Sequence, residues 1–165
     1  MRLARRQSRR ITRNMARNRK SRHLLGCLLF GIYLIALLYF LFFSEQFGRV
    51  PGEDYSYNLI PFREILRFWN NRETLGLAAV CINVLGNVIA FIPFGFFLPI
   101  VTKWKMNFRF VVLVTFFFSL AVECVQLVTR VGSFDVDDLI LNTLGGLLGC
   151  VISMIRKAIR RRRHR

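Results

Sequence analysis

Glu123, Gln126 and Arg130 stand three and four residues apart in an otherwise apolar run, so a helix sets them on one stripe. Asp138 and Asn142 repeat that spacing in the next apolar run, and Asn83 and Asn87 lie one turn apart in an earlier one. The turn VGSFDVD between the last two runs adds Asp135 and Asp137. Three kinds of chemistry fit this set. A carboxyl such as Glu123 in apolar surroundings can act as general acid, base or nucleophile, with the aspartates in support or on a divalent ion. Arg130 and the amides can line a pocket, the guanidinium bidentate on a phosphate or carboxylate and the asparagines reading a peptide or sugar. Or the network only fixes helix packing, with Glu123 paired to Arg130 or hydrogen-bonded to the asparagines. DVDD is a weak metal signature, because acidic turns are ordinarily solvated, and the cluster holds no His and no Ser or Cys beside a base. No metal and no cofactor is expected.

The elements that must position these groups read as membrane spans. The chain is 54% hydrophobic, with 17 Phe, and its apolar runs need lipid as their solvent. Four segments approach or reach the 17–25 or so residues that cross a hydrocarbon core: 24–43, 75–101, 108–128 and 139–155. A carboxylate inside such a helix costs about 2.5–3.5 kcal/mol on the insertion scale, so Glu123 needs a partner or a purpose. The expected fold is all-α: a polytopic four-helix transmembrane bundle.

Charge sets the expected orientation. The segment before Leu24 carries ten Lys/Arg, Lys103–Arg109 three, and the segment after Ile155 seven, all without an acid; the other two loops hold eight of the nine acids. The positive-inside rule then places both termini in the cytoplasm and the polar residues in the outer half of the bilayer, leaving the inner half nearly pure hydrocarbon. Residues 1–22 and 157–165 read as basic cytoplasmic tails flanking a membrane domain over 23–156. The arginine runs lack interleaved aromatics for stacking bases, so their expected partner is anionic lipid, not nucleic acid.

The remaining features organise the bundle. Residues 24–43 form an anchor span, because the apolar stretch is too long for a signal peptide and no small-residue cleavage motif follows. RVPGEDYSYN is a turn-rich outer loop. Pro61 suits the first turn of a short amphipathic helix on the outer face, with Phe62, Ile65, Leu66 and Trp69 on one side. That helix either roofs the polar site or packs the span ends. Pro93 should kink the second span, where Gly95 also loosens it, and Gly145 with Gly149 lets the fourth approach a neighbour closely. Cys27, Cys81, Cys124 and Cys150 all fall within spans and form no CxxC pair, as expected of small apolar fillers.

NLIPF, NVLGNVIAFIPFGFFLP, E-x-x-Q-x-x-x-R and D-x-x-D-x-x-x-N-x-x-G-x-x-x-G follow one another between Asn58 and Val151. This ordered set resembles the VanZ-like family of small bacterial membrane proteins, which takes its name from an accessory teicoplanin-resistance protein. By position, the resemblance singles out Pro61, Asn83, Asn87, Pro93, Gly95, Glu123, Gln126, Arg130, Asp135, Asp138, Asn142, Gly145 and Gly149. It implies low-level glycopeptide resistance that leaves the peptidoglycan precursor unaltered. The expected protein is thus a multi-pass protein of the bacterial cytoplasmic membrane. Its outward-facing pocket of Asn83, Asn87, Glu123, Gln126, Arg130, Asp135, Asp138 and Asn142 would bind an envelope lipid, a cell-wall precursor or a lipoglycopeptide. The alternatives are an enzyme acting on a lipid-linked substrate through Glu123, and a purely structural network.

Overall fold

The computed structural model describes residues 2–43, 56–103 and 107–163. Most of the turn-rich outer loop, the middle of the basic loop at 104–106 and the last two residues lie outside the described residues. So do the side chains of residues 2–19, on which any basic face of the first segment would rest. In chain order come α1 (Arg2–Phe43), β1 (Tyr57–Asn58), α2 (Arg63–Asn70), α3 (Arg72–Leu75), α4 (Leu77–Val101), α5 (Phe108–Thr129), β2 (Phe134–Asp135) and α6 (Val136–Arg162). Among the described residues, four helical stretches are long and apolar enough to cross a membrane: His23–Phe42, Val80–Val101, Phe108–Thr129 and Val136–Arg162. The all-α polytopic bundle expected from the sequence is the fold.

Several boundaries differ from the sequence expectation, each for a local reason. The basic segment from Arg2 is helical and runs on into the first span as part of α1; from Arg2 to Leu25 it holds no Gly or Pro, and Arg, Lys and Gln are good helix formers. α4 begins at Leu77 because Gly76, at φ 82°, turns the chain out of α3 in a conformation that favours glycine. α4 then runs uninterrupted through Pro93 and Pro99, since a membrane helix tolerates proline where its neighbours help satisfy the freed backbone groups. α6 starts at Val136, three residues early, because Asp135 caps it.

Backbone proximity between α4 and α6 fixes the centre of the bundle. A Cβ on Gly145 would collide with the Val88 carbonyl, one on Gly149 with the Ile92 carbonyl, and one on Gly95 with the backbone of Gly146. Gly146 itself lies against Thr115 of α5. Small residues here let the two helices run side by side at close range, where dispersion and hydrogen bonds must supply what lipid does not. Around this seam pack Phe91 and Phe94, the latter stacked on Phe118 with ring centroids 4.7 Å apart, together with Leu37, Leu41, Val111, Val122 and Cys150.

α1 runs antiparallel to α4. The Tyr33 hydroxyl donates to the Ala90 carbonyl at 2.6 Å, and His23 Nε2 donates to the Val101 carbonyl at 2.9 Å. The C-terminal ends of α1 and α5 and the N-terminal ends of α4 and α6 therefore meet at one end of the bundle. The other half is less purely apolar than expected: Thr115 and Ser153 are buried. Thr115 Oγ1 donates to the Val111 carbonyl of its own helix, which hides its polarity within α5.

Gly149→Val places a branched side chain against the Ile92 backbone. It should destabilise the purified protein by about 1–3 kcal/mol, the range for overpacking, measured as a lowered Tm in detergent. Gly31→Ala, where an added Cβ meets nothing within 4 Å, should leave Tm unchanged or slightly raised.

Candidate functional site

The polar residues gather where the four helix ends meet, and one chain of contacts runs through them. Glu123, 2% exposed, projects from the last two turns of α5, and its Oε2 accepts the backbone N–H of Asp135 at 3.0 Å. Asp135 is the N-cap of α6: its Oδ1 accepts the Asp137 N–H at 2.8 Å, filling one of the donors a helix start leaves open. The same oxygen accepts Asn58 Nδ2 at 3.0 Å. Asn58 belongs to β1, which pairs in parallel with β2 through Tyr57 opposite Phe134 and Asn58 opposite Asp135. Its own Oδ1 accepts the Ile60 N–H at 3.2 Å, turning the chain towards α2.

Asp137 completes the chain from the other side. The residue at the N-cap of α2 is Phe62, which has no side-chain oxygen to offer and holds a left-handed conformation at φ 65°. The open amides of α2 must find an acceptor elsewhere, and Asp137 supplies it. Its Oδ1 accepts the Phe62 N–H, and its Oδ2 accepts those of Glu64 at 2.8 Å and Ile65 at 3.2 Å. The carboxylate also meets the positive end of the α2 dipole. A buried side chain of α6, 1% exposed, thus caps a helix more than seventy residues earlier in the chain. α2 is thereby held over the polar end of the bundle.

The other expected site residues fall around this chain. Asn87, buried on α4, donates through Nδ2 to Asp138 Oδ1. Asn142, one turn further along α6 and 1% exposed, donates to Ser119 Oγ at 2.9 Å, while its Oδ1 has no hydrogen-bond partner among the described residues. Gln126 turns towards α1, where its Nε2 donates to the Leu41 carbonyl at 2.8 Å and satisfies one of the open carbonyls at the end of that helix. Asn83 is half-buried one turn before Asn87. Arg130 is exposed and closes α5 in a left-handed conformation at φ 55°. Pro61 lies in the turn before α2, not in its first turn, because the left-handed Phe62 delays the helix to Arg63.

The aspartates of DVDD serve three separate ends: the start of α6, the start of α2 and the amide of Asn87. Among the described residues no group of three or more His, Cys, Asp or Glu is placed to hold a metal ion. Asn58, Ser119 and the capping role of Asp137 are the participants that residue spacing missed. One cue was present for Asp137, since Ile-Pro-Phe ahead of α2 contains no capping side chain and a partner from outside was required. α2 has an outer and an inner side. Phe62, Leu66 and Trp69 are exposed, whereas Glu64, Ile65 and Phe68 are the half-buried side.

Comparison with known proteins gives the family. The family profile described as VanZ/LLP1 matches residues 30–157, from the middle of α1 almost to the end of α6. The chain belongs to the VanZ/LLP1 family. Protein VanZ of Enterococcus faecium is 33% identical over 127 residues, a match that takes in 73% of this chain and 68% of that relative. No solved structure matches the chain. Every member of the buried polar network, from Asn58 to Asn142, falls inside the VanZ/LLP1 match. The basic first half of α1 lies outside it.

Burial holds the Asp135 carboxyl above its ordinary value of 3.8, against the opposing pull of the Asp137 amide and the Asn58 side chain. The folded protein therefore keeps this proton to higher pH than the unfolded chain does. Asp135 costs nothing below 3.8, and its cost grows as pH rises through the folded value. Asp135→Asn keeps an acceptor for Asp137 and removes the titration. Thermal unfolding in detergent should show the stability of wild type, relative to Asp135→Asn, falling between acid and neutral pH. A constant difference would mean that Asp135 is not the titrating group.

Proposed function

We propose that this VanZ-family protein works at the outer leaflet of the bacterial cytoplasmic membrane, both termini cytoplasmic, and lowers sensitivity to teicoplanin-type lipoglycopeptides. On this reading the polar end of the bundle, from Asn58 to Asn142 beneath α2, is where an envelope lipid or the drug is bound. Glu123 and the asparagines face the bound group, and Arg130 and Asn83 form its rim. The observation that carries the proposal is the concentration of Glu123, Asp135 and Asp137, each buried, at one end of a bundle whose packing is already secured by glycines and phenylalanines. Carboxylates at membrane depth are expensive and are retained where they serve binding, transport or chemistry.

A second reading has its own support. Most of the network's described donors and acceptors already meet one another, which suits a purely structural role. One experiment separates the two. In a susceptible Gram-positive host where a cysteine replacing Ser133 labels only from outside, teicoplanin sensitivity is compared between wild type and Glu123→Gln at matched membrane levels. The proposal expects wild type to lower sensitivity and Glu123→Gln to abolish the effect while inserting normally. Loss of the variant from the membrane would assign Glu123 to structure, and two well-inserted proteins without effect on sensitivity would refute the resistance role.

A further inference from the structure

We infer that the corner between α2 and α3 holds a glycerophospholipid of the surrounding leaflet, its phosphate on Arg67 and its acyl chains running down the lipid-facing side of α4. The inference is independent of what the polar end beneath α2 binds.

The first support is shape. Gly76 turns the chain from α3 into α4, and α3 packs on α4. A cavity of about 300 Å³ opens at the end of α2, lined by Arg67, Phe68, Asn71, Thr74 and Leu75. Its walls are pinned from within. Asn71 Nδ2 donates to the Arg67 carbonyl at 2.8 Å, and Thr74 Oγ1 donates to the Asn71 carbonyl at 2.9 Å. The Arg67 guanidinium lies over the Phe68 ring, 5.3 Å from its centroid. A guanidinium, an amide and a hydroxyl thus stand beside a phenyl ring and a leucine, the mixture that an amphiphile requires.

The second support is depth. The span in α4 begins at Val80, and a helix rises about 1.5 Å per residue, so Leu77 stands about 4–5 Å beyond the span. The headgroup layer is about 5–8 Å thick on each face of a bilayer. The corner therefore lies among headgroups. Further down α4, Ile82, Leu85 and Ile89 are exposed at three- and four-residue spacing, an apolar stripe leading from the corner into the hydrocarbon. The outer side of α2 and the turn before it continue that surface: Leu59, Ile60, Phe62, Leu66 and Trp69 are each more than half exposed. So large an apolar patch, with a tryptophan in it, belongs in the membrane interface.

The third support is charge, and it also limits the class of ligand. α2 and α3 carry Arg63, Arg67 and Arg72 against Glu64 and Glu73. Glu64 Oε2 lies 2.7 Å from Arg67 Nη2, and the charge of Arg67 also acts on Asp135. The guanidinium has five N–H donors in a planar fork, so it can take a phosphate oxygen beside a carboxylate. With arginines and glutamates so nearly balanced, the corner suits the phosphate common to all glycerophospholipids and not a strongly anionic surface.

The test uses the purified full-length protein in detergent, with the first bound lipid read by native mass spectrometry. The probes are dioleoyl phosphatidylglycerol, dioleoyl phosphatidylethanolamine and the phosphate-free dioleoylglycerol. Both phospholipids should bind about tenfold more tightly than dioleoylglycerol, the factor expected for one hydrogen bond to a charged group. Arg67→Gln should remove that advantage, while Arg63→Gln, on the same helix but outside the cavity wall, should keep it. Equal binding of dioleoylglycerol, or an advantage that survives Arg67→Gln, would overturn the assignment. Competition by glycerol 3-phosphate at the lipids' own concentration would also overturn it, by making the ligand a soluble phosphate. Depth is measured on the folded protein in bilayer nanodiscs, with Trp104→Phe leaving Trp69 as the one tryptophan. Trp69 emission should be quenched by brominated acyl chains and shielded from aqueous iodide. The reverse pattern would place α2 in water and sink the inference.

Discussion

A carboxylate in a membrane bundle has to be satisfied by the protein, and Asp137 meets that demand by satisfying three backbone amides that have the opposite problem. Phe62 cannot cap α2, so the helix start would be left open at the edge of the hydrocarbon; Asp137 cannot be left bare at 1% exposure. Each resolves the other. Because Asp137 sits in the first turn of α6, the bond ties the extramembrane segment to the helix that packs most closely on α4. The flanking acids follow from the same position: Asp135 caps α6 and holds Asn58, while Asp138 takes the amide of Asn87.

The consequences spread outward from that junction. The parallel pairing of β1 with β2 needs Asn58 and Asp135 side by side, and Glu123 reaches the same point through the Asp135 amide. Gln126 extends the network to α1. The glycine seam then sets how closely α4 can bring Asn87 to α6. Polar satisfaction and close packing thus occupy different depths of one bundle, the first at the end beneath α2 and the second through its middle.

Much of this was legible in the sequence, and what was not has a physical explanation. Apolar run length revealed the four spans, and the three- and four-residue spacing put Glu123 and Gln126 on one face, as it did Asp138 and Asn142. Gly145 and Gly149 were readable as a close-approach motif, although their partner, the carbonyl row of α4, was not. Hydrogen-bond partners across helices depend on rotation and depth, which periodicity does not encode, so Asn58 and Ser119 went unseen. Arg130 closes α5 in a left-handed turn that periodicity does not foretell, which sets it at the exposed end of the helix. An amphipathic helix beside a membrane can put its apolar face outward, and here Asp137 holds the half-buried side towards the bundle.

Whether the polar end of the bundle serves a ligand or only the fold, its arrangement depends on α2 being fastened from α6. Amide hydrogen–deuterium exchange of the purified protein tests this directly, comparing wild type with Asp137→Ala at Phe62, Glu64 and Ile65. The account predicts slow exchange at these three amides in wild type and at least about a tenfold acceleration in the variant, as expected from losing hydrogen bonds to a charged acceptor, with the amides of α4 unaffected. Equal exchange at all three positions in the two proteins would show that something other than Asp137 holds α2 in place, and would contradict the account at its centre.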